Sequence, residues 1–296
     1  MQNRRDFIKT SLVGGAVLSA VASPVELMAN EVKTKLTILH TNDVHSHVEP
    51  FADDDKKYPG LGGAEYRATI IENIRKKTAH TLVLDAGDIF QGTPYFNFFH
   101  GDLEIDLMNK MRYDAATIGN HDFDGGIDML AKQITRSNFP FVNCNYDFTN
   151  TPVEGKVHKH VILKKGKLKI GITGCGVELD GLVPDKLYTN TKYIDPIKCV
   201  QEQVDILKFK EKCQLIICLS HLGYKYDNAR ISDVVLAQQT TNIDLIIGGH
   251  THTFLEVPVK EKNKGGKEVL INQVGGAGEQ IGQLEYFFEK SFRKKL

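Results

Sequence analysis

Thr81-Leu82-Val83-Leu84-Asp85-Ala86-Gly87-Asp88-Ile89-Phe90-Gln91-Gly92 joins an apolar run to a polar turn bounded by glycines. Leu82-Val83-Leu84 has no polar alternation, which fits a strand buried on both faces, as in a parallel sheet covered by helices. Gly87 and Gly92 punctuate the turn after it. Asp88 therefore arrives just past the C-terminal end of a buried strand, the edge at which open α/β sheets bind ligands.

The same arrangement recurs on both sides of this stretch. Leu36–His40, Ala115–Ile118, Leu168–Thr173, Leu215–Leu219 and Ile243–Ile247 read as further buried strands. Glu65–Lys77, Glu104–Met111, Ile127–Ser137, Ile197–Lys212 and Asp233–Thr240 carry helical periodicity between them. Strand and helix in alternation predict an α/β domain. Val157–Leu163 and Leu168–Thr173 flank Lys164-Lys165-Gly166-Lys167 like an antiparallel hairpin, so the sheets should be mixed. The tail reads as all-β, over Leu255–Val259, Glu268–Asn272 and Gly282–Phe288. There is no internal repeat or low-complexity tract, and Asp53–Gly63, with its run of three aspartates, is expected to be a solvated loop.

Residues 1–29 are set apart as a leader, which leaves 30–296 as one domain. Asn3-Arg4-Arg5-Asp6-Phe7-Ile8-Lys9 is a twin-arginine n-region, followed by the apolar stretch Ser11–Ala22 and a small-x-small cleavage signal at Ala20-Val21-Ala22. That stretch falls short of the roughly 20 apolar residues a membrane span needs. The expectation is a bacterial protein exported to the periplasm, with no membrane span in its mature chain. Loss of residues 1–22 removes Arg4, Arg5, Lys9 and Asp6 from 37 basic and 37 acidic residues, leaving 34 against 36. A net charge of −2 argues against binding a nucleic-acid polymer. With 41% hydrophobic residues the remainder can build a proper core. Cys144, Cys175, Cys199, Cys213 and Cys218 are odd in number and show no C-x-x-C spacing. Cys175 and Cys218 lie in apolar runs and read as small buried hydrophobes.

The decisive pattern is where the polar residues fall. Asp43-Val44-His45 follows the first strand and Gly87-Asp88 the second. Gly119-Asn120-His121-Asp122-Phe123-Asp124, Ser220-His221 and Gly248-Gly249-His250-Thr251-His252 follow later ones. A single such piece occurs by chance, but five at strand ends do not. Aspartate, asparagine and histidine without thiolates suit divalent ions such as Zn²⁺, Mn²⁺ or Fe. Asp43 with His45, and His250 with His252, are spaced two apart on extended chain and can reach one ion from the same side. So many ligands favour two ions over one.

D-x-H, G-D-x-x-Q-G, G-N-H-D, a separate histidine and G-H-x-H, in that order, resemble the calcineurin-like metallophosphoesterases. The flanking residues of Asp43, Asp88 and Asn120 are similar to the 5′-nucleotidase branch of that family. The resemblance runs from about Lys35 to Gln283. It implies a sandwich of two mixed β-sheets flanked by helices. It also implies two divalent ions, one held by Asp43, His45, Asp88 and His252, the other by Asp88, Asn120, His221 and His250. The resemblance further implies hydrolysis of phosphate monoesters by a hydroxide between the ions, with His121, oriented by Asp124, serving the transition state or the leaving alkoxide. A small phosphorylated substrate, foremost a nucleotide, is the expected partner; a broad-specificity phosphatase or a cyclic-nucleotide phosphodiesterase are the alternatives. Relatives in this branch often carry an amide where this sequence has His252, a departure that leaves metal binding intact and metal preference open. They continue into a C-terminal nucleoside-binding domain, whereas this sequence ends at Leu296. Base recognition is accordingly expected to be absent, built from loops, or supplied by a separate nucleoside-binding protein. Around the motifs, His47 is expected to hold a loop position, Asp122 to bond locally, and Asp85 to support a ligand. Gln91 has no assigned contact.

Overall fold

The computed structural model describes residues 34–289 and the backbone of 294–295; the leader at 1–29 lies outside the described residues. The strands are β1 Thr34–Thr41, β2 Thr81–Asp85, β3 Ala115–Ala116, β4 Tyr146–Asp147, β5 His160–Lys165, β6 Leu168–Gly176 and β7 Lys192–Tyr193. They continue as β8 Leu215–His221, β9 Leu245–Gly248, β10 Val259–Lys262, β11 Glu268–Asn272, β12 Gly282–Phe288 and β13 Lys294–Lys295. They form one sheet in the order β13-β12-β1-β2-β3 and a second in the order β10-β11-β9-β8-β6-β5, with β4 and β7 paired separately. Both large sheets are mixed. β1, β2 and β3 run parallel with β12 antiparallel beside β1, while β6, β8, β9 and β11 run parallel between antiparallel edges β5 and β10.

Alternation along each strand decides how the sheets stack. Leu36, Ile38, Leu82 and Leu84 point inward from the first sheet and meet Ile170, Ile172, Leu215, Ile217, Leu219, Leu245 and Ile247 of the second in one buried cluster. Their neighbours Leu39 and Val83 face outward, beneath Ile71, Ile105, Met108 and Leu130 of the helices Ala64–Lys77, Asp102–Met111 and Ile127–Arg136. On the far side Ile216, Cys218 and Ile246 lie under Val200, Val204, Leu236 and Ala237 of the helices Pro196–Asp205 and Asp233–Gln239. The result is four layers, helix–sheet–sheet–helix, with strands apolar on both faces. Such strands read as continuous apolar runs, which is why the sequence pattern located them.

Two helices, Pro196–Asp205 and Asp233–Gln239, begin at a side chain that satisfies free backbone N–H groups. Pro196 occupies the first turn and Asp195 accepts from the amides of Ile197 and Lys198 at 2.8 and 3.4 Å. The expected hairpin forms, its turn reduced to Gly166-Lys167 with Gly166 at φ 61°. One expectation fails in placement: the strand looked for at Leu255–Val259 starts at Val259 instead. Pro258 has no N–H to give a ladder, and before it only Phe254 bridges, to Val274. The short helix Pro94–Phe99 was not predicted. No helix among the described residues is long and apolar enough to cross a membrane. All five cysteines are buried and free, as the apolar runs around Cys175 and Cys218 led us to expect for those two.

His40, on β1 opposite Gly282, is fully buried and neither ring nitrogen has a hydrogen-bond partner. A Cβ at position 282 would sit 2.0 Å from His40 Nε2, so only glycine fits there. Burial drives the imidazole down to about 3. The unfolded chain takes up a proton below about 6.5 while the folded one does not, so stability is lost as pH falls from there toward 3. We expect His40→Leu to recover about 2 kcal/mol of the wild-type loss between pH 7.5 and pH 5, at about 1.4 kcal/mol per unit. Urea titrations of both proteins in chelator measure it; equal losses would exclude the effect.

Candidate metal centre

The ends of β1, β2 and β3 in one sheet and of β8 and β9 in the other open onto the same edge of the sandwich. Asp43 and His45 follow β1, Asp88 follows β2, and Asn120 lies beyond β3. From the second sheet, His221 closes β8, while His250 and His252 follow β9. The carboxylates and imidazoles gather into two groups with ligand atoms within 4.8 Å of one another: Asp43, His45 and His252, and Asp88, His221 and His250. Each group draws on both sheets.

Distances knit the groups together. Asp88 Oδ2 is 3.0 Å from His221 Nε2 and 3.7 Å from His45 Nε2, which sets this carboxylate between the two groups. His252 Nε2 is 3.3 Å from Asp43 Oδ1 and 3.1 Å from His45 Nε2. Asn120 adds its amide oxygen, 2.8 Å from His250 Nδ1. His221 donates through Nδ1 to Ala86 O at 2.7 Å and His45 through Nδ1 to Gln91 O at 3.0 Å, leaving Nε2 of each ring aimed at the carboxylates. Gln91, to which sequence gave no contact, thus acts through its backbone carbonyl.

The backbone is shaped around these groups. Asp43, His45, Asp88, His250 and His252 all have positive φ, between 47° and 73°. Left-handed conformations at non-glycine residues cost about 1–3 kcal/mol each and cluster at functional sites. Asp122, fully buried, holds the turn that carries Asp88. Its carboxylate accepts N–H bonds from Asp88, Ile89 and Phe90 at 2.8–3.2 Å and from Gly119 at 2.8 Å. Its bonding therefore reaches well beyond the local capping expected of it. Asp85 accepts from Thr41 Oγ1 at 2.6 Å and from Gly87 N at 2.9 Å, and burial raises its carboxyl to about 7. Gly119 packs against these groups so closely that a Cβ there would lie 2.2 Å from Asp88 Oδ1. His47 stacks on Phe51 at 5.0 Å, in the loop position expected.

The electrostatics suit cations. Burial by itself would lower the His221 imidazole, but Asp88 and then Asp43 outweigh it and push it up to about 10. His250, partly buried and beside His221, is lowered by that burial to about 4. Two buried carboxylates facing imidazole nitrogens, with His221 Nε2 lacking any hydrogen bond of ordinary geometry, form a donor set that divalent ions fit. Beside the groups stands His121, whose Nδ1 donates to Asp124 Oδ2 at 2.7 Å and whose backbone N–H donates to Asp88 Oδ1 at 2.8 Å. The hydrogen bond to Asp124 raises this imidazole above its ordinary value. The ring is 5.2 Å from that of His45, centre to centre.

Comparison with known proteins accords with this geometry. The family model for calcineurin-like phosphoesterases matches residues 36–254. The chain is 32% identical to a snake venom 5'-nucleotidase of Crotalus adamanteus over 275 residues, 86% of this chain and 45% of the relative. It is 32% identical to the 5'-nucleotidase of Bos taurus over 297 residues, covering 93% and 49%. Among solved structures, a 5'-nucleotidase precursor from Thermus thermophilus superposes with a TM-score of 0.78 at 31% identity, over 88% of this chain and 53% of that one. The chain thus spans about half the length of the curated relatives it matches.

Proposed function

The chain belongs to the calcineurin-like phosphoesterases, and on that footing we propose that it hydrolyses phosphate monoesters, 5′-nucleotides foremost, with two divalent ions. The observation that carries the proposal is the pair of ligand groups straddling Asp88 at the strand ends, with His121 and Asp124 beside them.

In this reading Asp43, His45, Asp88 and His252 hold one ion, and Asp88, Asn120, His221 and His250 the other. When bound, the ions supply Lewis-acid charge at the phosphoryl oxygens and lower the pKa of water. The rest falls to the chain. Asp122 and Ala86 fix the turn and the ring that present Asp88 and His221. Asp124 fixes the tautomer of His121 so that Nε2 faces away from it, free to hydrogen-bond a phosphoryl oxygen or protonate the leaving alkoxide. The raised imidazole keeps a proton available near neutral pH.

A substrate panel tests the nucleotide part. Adenosine, guanosine and cytidine 5′-monophosphates should be cleaved with kcat/KM at least about tenfold above p-nitrophenyl phosphate, a preference of about 1.4 kcal/mol in transition-state binding. Equal cleavage of the aryl ester would reduce the assignment to a broad phosphatase. Cleavage of a cyclic nucleotide in preference to both would make it a phosphodiesterase. We propose further that the enzyme works outside the cytoplasm, on the strength of the twin-arginine region at residues 3–9 and its likeness to venom enzymes.

A further inference from the structure

The helix Ala64–Lys77 sends one buried cation to the rear of the metal centre. Arg67 is 4% exposed. Its Nη2 donates to His47 O at 3.0 Å and its Nη1 to Gly278 O at 3.4 Å. Guanidinium cannot shed its proton, so a full charge sits on two neutral carbonyls. Burial disfavours it, and only the more distant Tyr113 and Asp85 offset that.

The two carbonyls belong to the loops that shape one ligand group. His47 ends the turn carrying Asp43 and His45, where Asp43, His45 and Ser46 are all left-handed, with φ 50°, 50° and 56°. Gly278 lies in the loop that braces His252. There the Ala277 N–H donates to Asp43 O at 2.6 Å, and a Cβ at Gly276 would lie 2.9 Å from His252 Nδ1. Strained turns persist only where their surroundings over-determine them. The planar fork of Arg67 joins both loops at once, which a lysine's single ammonium at the end of a flexible stem does not reproduce. The Asp88, His221 and His250 group is held by Asp122 and Ala86, with the His250 N–H also donating to the Asp43 carboxylate at 2.9 and 3.0 Å.

Behind Arg67 is a chamber of about 20 Å³ whose walls include Ser46, Arg67, Asp85, Glu104 and Tyr113. Arg67 Nε, Ser46 Oγ and both carboxylate oxygens of buried Glu104 have no hydrogen-bond partner. That volume suits one water molecule, able to bond several of these groups.

We propose that Arg67 is a positioning residue for the Asp43, His45 and His252 group and sets its metal affinity separately from that of the other group. The inference rests on the two-ion reading above. It is tested with Mn²⁺ alone, titrated calorimetrically into metal-free full-length protein without substrate. Wild type should take two ions. Arg67→Met and Arg67→Lys should keep one site unchanged and weaken the other roughly 10- to 100-fold, the usual effect of losing a group that orients metal ligands. Arg75→Met is the matched control. Arg75 sits on the same helix and donates to Met111 O and Arg112 O, away from the centre, so this variant should bind two ions as wild type does. Should Arg67→Met fail to fold, Arg67→Lys decides alone. Two unchanged dissociation constants in the Arg67 variants overturn the inference, as does equal weakening in Arg75→Met. A wild type that takes fewer than two ions overturns the two-ion reading itself.

Discussion

Replacing Asp88 by asparagine is expected to lower kcat on a nucleoside monophosphate by at least about 10³-fold and to strip the protein of one or both ions. The expectation follows from where this carboxylate lies. One of its oxygens faces nitrogens of both ligand groups, at 3.0 Å from His221 and 3.7 Å from His45. The other accepts the His121 N–H, so metal groups and candidate acid are held on one side chain. Asparagine keeps the shape and removes the charge. Burial disfavours the carboxylate's charge, yet His221, His45 and His121 more than compensate and hold it well below the usual carboxylate range. Without that charge two cations would face each other with little between them. Asp122 still grips the turn through the amides of residues 88–90, so the fold should survive. Elemental analysis, turnover and circular dichroism measured together decide the matter. Full turnover by Asp88→Asn would sink the two-ion mechanism.

The second large effect should leave the metals alone. His121→Asn is expected to cut kcat roughly 10²–10⁴-fold, the range for a lost general acid or base, with both ions retained. His121 belongs to neither ligand group. It is partly exposed, its ring is fastened by Asp124, and only its backbone N–H, which asparagine keeps, reaches the Asp88 carboxylate. The loss should shrink on p-nitrophenyl phosphate, whose leaving oxygen departs without a proton. If nucleotide and aryl ester lose activity equally, His121 acts on the phosphoryl oxygens and not on the leaving group. If the ions leave as well, its role is structural.

Much of this was legible in the sequence, for a physical reason. Strands buried on both faces announce themselves as apolar runs, and ligands placed just beyond them sit at predictable points of the chain. Asp43, His45, Asp88, Asn120, His221, His250 and His252 were all nameable as candidate ligands on those grounds and on resemblance. Tertiary facts were not. Little that is local marks Asp122 as the acceptor of four amides from two loops, since three of its partners are more than 30 residues away and only Gly119 lies close by in the chain. Arg67 looks like any helix arginine until the fold buries it. Leu255–Val259 carried the composition of a strand, and the missing amide of Pro258 moved the ladder past it. Pro94–Phe99 is too short and too aromatic for a period to show.

The interior between the two sheets has a second consequence. Asp43, His45, Asp88 and Asn120 ride on one sheet and His221, His250 and His252 on the other. The spacing of the two halves is fixed by the packing of Ile38, Leu82 and Leu84 against Ile170, Ile217 and Ile247. Sheets stacked in this way lie about 10 Å apart, at a distance set by side-chain volume. The greasy filling is thus a calliper whose jaws carry the candidate ligands. A methylene added or trimmed deep inside, far from any ligand, is registered at the rim as a wider or narrower seat. Drift in such a core is therefore a route by which relatives of this chain can come to favour one ion size over another with every ligand unchanged.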